Sequence, residues 1–198
     1  MSSVLVDMIT ATLIFGILAL TVVRVQANIN LTMYENQYNV VTQTNAVELA
    51  RQIESDFTKI GYHISGQKIF VADSTKLQFT ADLNNIKSTS TLIYSIGDPS
   101  QCAMTKNRND FPVFRSQDSR IVTQNWGLTY FKLTYYDSTN KKIATPITGA
   151  TNLARIHAIC ASFRLESPDP VIDGKDTVWS AVTWKKMIIP RNLGDLSF

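Results

Sequence analysis

The chain has 198 residues, 44% hydrophobic and 18% charged, with a net charge of +3. Its basic residues are scattered, adjacent only at Lys141-Lys142 and Lys185-Lys186, which excludes a basic stripe for nucleic acid. Two histidines (His63, His157) and two cysteines (Cys102, Cys160) are too few for a metal cage or much imidazole chemistry, so neither an enzyme nor a cofactor is expected.

The first element is "SVLVDMITATLIFGILALTVV", residues 3 to 23, apolar except for Asp7, Ser3 and three threonines. About 20 such residues at 1.5 Å each cross a hydrocarbon core of ~30 Å. A signal peptide needs a positive start and a small-residue cleavage site, and neither is present. A buried core helix needs a cover that a uniformly apolar N-terminal segment lacks. The segment therefore reads as a membrane anchor. Asp7 is the anomaly, since a carboxylate at the centre of a membrane helix costs roughly 2.5–3.5 kcal/mol.

The helix does not stop where a membrane would end. No proline occurs before Pro99, and no glycine between Gly16 and Gly61. Leu31, Tyr34, Tyr38, Val41, Leu49, Ile53, Phe57 and Ile60 recur at steps of three, four or eight, the period of one helical face. Polar residues such as Asn36, Gln43, Glu48 and Arg51 fill the other faces. Glu48–Arg51 and Asp56–Lys59 are spaced as i,i+3 pairs on the surface, and Gly61 is placed as a C-cap. One continuous helix from about Ser3 to Ile60 is predicted, its first half apolar all round and its second amphipathic.

After Gly66 the period changes to two. "KIFVAD", "KLQFTAD", "STLIYSIG", "PVFRS", "RIVTQNW", "LTYFKLTYYD", "NLARIHAICASFRLES" and "TVWSAVTWKKMII" read as strands, and "YDSTNKK" and "SPDPVIDGKD" as hairpin turns. Short turns imply antiparallel pairing. The fold class is therefore α+β, a long N-terminal helix whose amphipathic half packs on an antiparallel sheet. The expected division is residues 1–27 for the apolar half, 28–61 for the amphipathic half and 62–198 for the sheet domain.

Other residues offer alternatives. Cys102 and Cys160 suit either one disulfide, worth roughly 4 kcal/mol in the chain-entropy model, or two buried thiols. Asp169, Asp173 and Asp176 read as solvated turn aspartates and are weak calcium candidates, without an EF-hand ligand series. His157 reads as structural, and Trp126, Trp179 and Trp184 as packing residues. There is no G-x-S-x-G, P-loop or H-E-x-x-H. Gly16 either allows close helix approach or is simply tolerated in a membrane helix.

Counted from Ser3, Asp7 is the fifth residue and the string Ile14-Phe15-Gly16-Ile17-Leu18-Ala19 follows at fixed register. This resembles the N-terminus of type IV pilin-like proteins, the pilins and the pseudopilins of type II secretion, which carry an acidic fifth residue before I-x-G-I-L-A. The string "ELARQIESDFTKIGYHISG" resembles the helix end of the larger J-type pseudopilins and W-type minor pilins. The resemblance implies a lollipop-shaped fold and a minor structural subunit of a pilus or pseudopilus. Its partners would be other pilin or pseudopilin subunits, an inner-membrane assembly platform and a prepilin peptidase. The domain would lie outside the bacterial inner membrane, and at the cell surface after assembly.

The resemblance also implies that Asp7 meets an N-terminal ammonium, its own or a neighbour's, and that Ser3 is the N-methylated residue. An ordinary interfacial charge is the other reading of Asp7. The family has glutamate where Asp7 stands, and its peptidase cuts after a glycine where this chain has Ser2. That implies a trimmed chain, an internal start or different processing. The contrasting function is a singly anchored extracytoplasmic binding or sensing domain that never polymerises.

Overall fold

The computed structural model describes residues 2–102, 105–173 and 176–193, with side chains described from Ser3 onward except at 171–176. Helix α1 runs unbroken over Ser2–Thr58. With no internal proline, every residue past the first turn can donate to the carbonyl four back. The threonine hydroxyls of the apolar half are satisfied in the same way: Thr10 donates to the Val6 carbonyl at 2.8 Å, Thr12 to Met8 at 2.6 Å and Thr21 to Ile17 at 2.8 Å. That half therefore presents no unpaired threonine hydroxyl to an apolar surrounding. Gly61 ends the helix at φ 74°, and its N–H leaves the helix to donate to the Thr80 carbonyl of the sheet at 2.9 Å.

The strands are β1 (Ile69–Ala72), β2 (Lys76–Ala81), β3 (Ser90–Ile96), β4 (Phe111–Gln117), β5 (Arg120–Tyr136), β6 (Lys142–Ile143), β7 (Ala158–Glu166), β8 (Val171–Asp173), β9 (Asp176–Val178) and β10 (Ala181–Ile188). The main sheet has the order β1-β2-β3-β4-β5-β7-β10, with β6 on β5 and every pairing antiparallel. It curls: Leu133 N–H donates to the Ser74 carbonyl at 2.7 Å, and the Tyr135 hydroxyl to the Asp73 carbonyl at 2.8 Å, so the β1–β2 turn meets the second half of β5. Strands β8 and β9 form a separate hairpin touching α1.

Two sequence expectations are corrected. "RIVTQNW" and "LTYFKLTYYD" are one strand, β5, continuing through Gly127 at φ 77° with irregular pairing on both sides. A Cβ on Gly127 would lie 2.2 Å from the Glu166 carbonyl oxygen, so glycine here permits a bulge inside one continuous strand. The start of "NLARIHAICASFRLES" belongs to a short helix, α2 (Ala150–Ala154), and the strand begins only at Ala158.

The core lies between the sheet and the last third of α1. Leu49, Ile53, Phe57 and Ile60 are fully buried against Leu77, Phe79, Leu92, Tyr94, Leu133 and Phe163. The covered face starts later than its apolar period suggested. Tyr34 and Val41 are exposed at 58% and 42%, and the buried series is Thr42, Ala46, Leu49, Ile53, Phe57, Ile60. The sheet does not reach further back, and near there Ser180 donates to the Asn39 side-chain oxygen at 2.6 Å.

Candidate functional site

The helix divides by what covers it. Every residue from Ser3 to Asn30 is exposed. This stretch includes Leu13, Ile14, Phe15, Ile17, Leu18, Leu20, Val22 and Val23, each more than half exposed. The helix is long and apolar enough to cross a membrane. Asp7 and Arg24 are the only charged residues from Ser3 to Tyr34, and neither is in an ion pair among the described residues. A Cβ on Gly16 would meet nothing within 4 Å, so this chain alone asks for no glycine there. Ser3 is exposed at the start of the same surface.

The other end is locked by a buried ionic contact that local spacing did not reveal. Asp56 does not pair with Lys59 on the surface. It faces the sheet, where Arg115 of β4 donates to it from Nε at 2.7 Å and Nη2 at 3.2 Å, and the Tyr94 hydroxyl of β3 donates to the same carboxylate. Asp56 is 6% exposed and Tyr94 fully buried. The Asp56 carboxylate holds the Arg115 guanidinium above its ordinary range, and burial first, then the Asp56 charge, pushes the Tyr94 phenol well up. Phe57 packs edge-on against Tyr94 at 5.4 Å and Phe79 at 6.0 Å. Outside this cluster Lys186 of β10 reaches Glu54 at 2.7 Å. The expected Glu48–Arg51 pair is not among the ion pairs of the described residues. Two strands and the helix thus meet at one carboxylate, which fixes both the rotation and the height of α1 on the sheet.

Cys102 and Cys160 are both buried and stand as free thiols in the fold. Cys102 sits by the Glu166 end of β7: Thr105 N–H donates to its carbonyl at 3.0 Å, Lys106 N–H to the Pro168 carbonyl at 3.2 Å and Asn107 to the Glu166 carboxylate at 2.8 Å. Cys160 lies six residues from Glu166, within β7, paired with Met187 and Thr134. Near Cys102, Asp110 is fully buried, and neither carboxylate oxygen has a hydrogen-bond partner among the described residues. Burial raises its pKa to about 6, the Glu166 charge adding to the effect.

Asp169 carries an ion pair to Lys106 at 2.8 Å. The Asp173 and Asp176 backbones face each other across the β8–β9 hairpin, and their side chains lie outside the described residues. No group of three histidine, cysteine or acidic residues that would hold a metal occurs among the described residues. His63 Nδ1 lies 3.2 Å from the buried Asp82 carboxylate, and His157 is half-buried at the start of β7 with its N–H on the Tyr136 carbonyl. Trp184 stacks on Phe163 at 5.0 Å, and Trp126 packs against the core.

No family model matches the chain, and no curated protein matches it. Among solved structures it is similar to a type IV-like pilin from Thermus thermophilus, over 78% of this chain and 95% of that one, at 11% identity and a TM-score of 0.43. At that identity no residue role passes from that protein to this one.

Proposed function

We propose that the chain is a minor structural subunit of a type IV pilus-like filament or a type II secretion pseudopilus, joining it through α1. The observation that carries this reading is a helix locked to its sheet from Thr42 onward and bare over Ser3–Asn30. A helix apolar all round needs lipid or other helices about it. The register of Asp7 with Gly16 supports helices in the assembled state. Residues 1–27 are the part exchanged between bilayer and filament core, 28–61 the part that carries it to the head, and 62–198 the head. Within a bilayer that exchange gains by packing rather than by the hydrophobic effect, and Gly16 is the point of closest approach.

The partners on this reading are other pilin or pseudopilin subunits, an inner-membrane assembly platform and a prepilin peptidase acting before Ser3. The test is the N-terminus of the protein from its own membranes, by intact mass and terminal peptide, together with its content in sheared filaments. N-methylated Ser3 and recovery in the sheared fraction are expected. A retained, unmethylated Met1 with all protein left in the membrane would indicate the singly anchored binding or sensing domain.

A further inference from the structure

The bare surface of α1 carries only two charged side chains, of opposite sign, and nothing within the chain can bring them together; the N-terminal ammonium that the resemblance implies for Asp7 is the competing partner, which the Arg24 variants below separate. Asp7 and Arg24 are 17 residues apart on one unbroken helix, about 25 Å along its axis at 1.5 Å per residue. Both are exposed. At 3.6 residues per turn they also face directions about 100° apart. We propose that the Asp7 carboxylate of one copy pairs with the Arg24 guanidinium of a second copy of this chain, the two helices lying parallel and shifted by about 25 Å. This rests on the filament reading above and names the contact within it.

The charges themselves select this occupant. In apolar surroundings a lone carboxylate or guanidinium is costly and one hydrogen-bonded to its opposite is far less so. A parallel helix in the same register sets Asp7 beside Asp7 and Arg24 beside Arg24, which repels. A shift of 17 residues sets carboxylate against guanidinium and leaves the uncharged run Met8–Val23 to pack on uncharged residues from Val25 to Val40, with Glu35 the exception. The same length is close to a hydrocarbon thickness of ~30 Å. In a resting membrane both charges therefore lie near its two boundaries, and a copy displaced outward by that distance brings its Asp7 level with the Arg24 of a copy still in place.

The two faces give the contact its symmetry. Because Asp7 and Arg24 point about 100° apart and sit at different heights, a helix offers one to one neighbour and the other to a different neighbour. The interface is heterologous, so it does not close as a twofold dimer and it propagates as an open helical array.

The test is a charge cycle in the full-length protein in its native host, read by its amount in sheared filaments. It is joined to disulfide cross-linking of a Val6→Cys/Val23→Cys variant, a pair with the same 17-residue offset. Asp7→Arg and Arg24→Asp are each expected to lower incorporation tenfold or more, and Asp7→Arg/Arg24→Asp to restore it to within about threefold of wild type. The neutral set Asp7→Asn, Arg24→Gln and the double variant covers a swap that fails to insert: the double is expected to be no worse than either single. Cross-links should join position 6 of one copy to position 23 of another, identified as a mixed peptide by mass spectrometry.

Additive losses in the neutral cycle, or cross-links only at 6–6 and 23–23, would overturn the pairing. Normal incorporation of Arg24→Gln beside loss in Asp7→Asn would also overturn it, while leaving the filament reading standing. Wild-type protein never found in filaments would defeat the filament reading itself.

Discussion

Ser3–Asn30 and Thr42–Thr58 (with the turn to Ile60 that follows) are two stretches of one helix with the same backbone bonding, and they differ in what their side chains meet. The second stretch buries Leu49, Ile53, Phe57 and Ile60 completely and fastens Asp56 to Arg115 and Tyr94. The first buries nothing. Helix formation is therefore no guide to where folding energy resides. In the docked stretch it is tertiary, and a substitution there should register as lost stability. On the function proposed above, the bare stretch finds its contacts outside the chain, and a substitution there should register in insertion or assembly.

The largest effect is expected at the latch. Asp56→Ala leaves the Arg115 guanidinium, whose side chain is 17% exposed, without its carboxylate, and the buried Tyr94 phenol without its acceptor. Breaking a buried pair from one side costs about 3–5 kcal/mol, whereas replacing both partners by apolar groups is often close to neutral. Urea unfolding of the detergent-solubilised protein should show that loss for Asp56→Ala, and a smaller one for Asp56→Leu/Arg115→Met. An equal loss in single and double variants would break the contrast, since it would make the latch no different from ordinary packing.

Next is Gly127→Ala, at the bulge that lets β5 run on as one strand. At φ 77° an L side chain is strained, and the obstructing atom is the Glu166 backbone carbonyl, which cannot swing aside. A cost of about 1–3 kcal/mol is expected by the same measurement, with the β5–β7 pairing shifted near Glu166. Hydrogen exchange should show faster amides at Leu165 and Glu166, and unchanged ones at the β2–β3 pairing.

A smaller effect follows from Asp110. Its carboxyl titrates near 3.9 in the unfolded chain and at about 6 in the fold, so the folded state holds its proton more tightly. The stabilisation is complete below about pH 4 and is lost as pH rises through 6, amounting to about 2 kcal/mol across that window. Asp137 and Asp82 run the other way. The Thr139 hydroxyl first of all lowers Asp137, and His63 with the Lys87 and Ile86 N–H groups lowers Asp82 against its burial, so their contribution fades in more acid solution. Asp110→Asn should flatten the rise in stability between pH 7 and pH 5 and leave the acid limb unchanged.

What the sequence disclosed follows the range of the interaction. The length of α1, most of the alternating strands and the hairpin at Asp137 depend on neighbours within a few residues, and these are legible in period and breaker residues; the join of β5 at Gly127 and the helix α2 are not. At the Asp137 turn, for example, the carboxylate accepts the Thr139 and Lys141 N–H groups at 2.9 and 3.0 Å. Asp56 was misread because its spacing to Lys59 is a local signal, while its true partners lie 38 and 59 residues away. Asp110 carries no sequence signal, because an unpartnered buried carboxylate is defined by what surrounds it. The covered face began late because apolar period marks where a helix can be buried, and only the extent of the sheet decides where it is.

The smallest stability effect, and the sharpest test of the comparison, is expected in the bare stretch. Leu49→Ala removes a fully buried side chain and should cost about 2–5 kcal/mol. Leu13→Ala removes the same atoms from a position 62% exposed in the chain alone, and surface changes of that kind stay within about 0.5 kcal/mol. The same deletion on the same helix should therefore differ severalfold in urea unfolding. If the bare stretch packs on other helices when the protein assembles, Leu13→Ala should instead lower incorporation into sheared filaments at unchanged head stability, because a methyl-sized side chain leaves a gap at a helix–helix contact. A loss of head stability from Leu13→Ala would mean that this half of α1 folds back on its own domain, and the division of the helix into a docked and a bare part would fail.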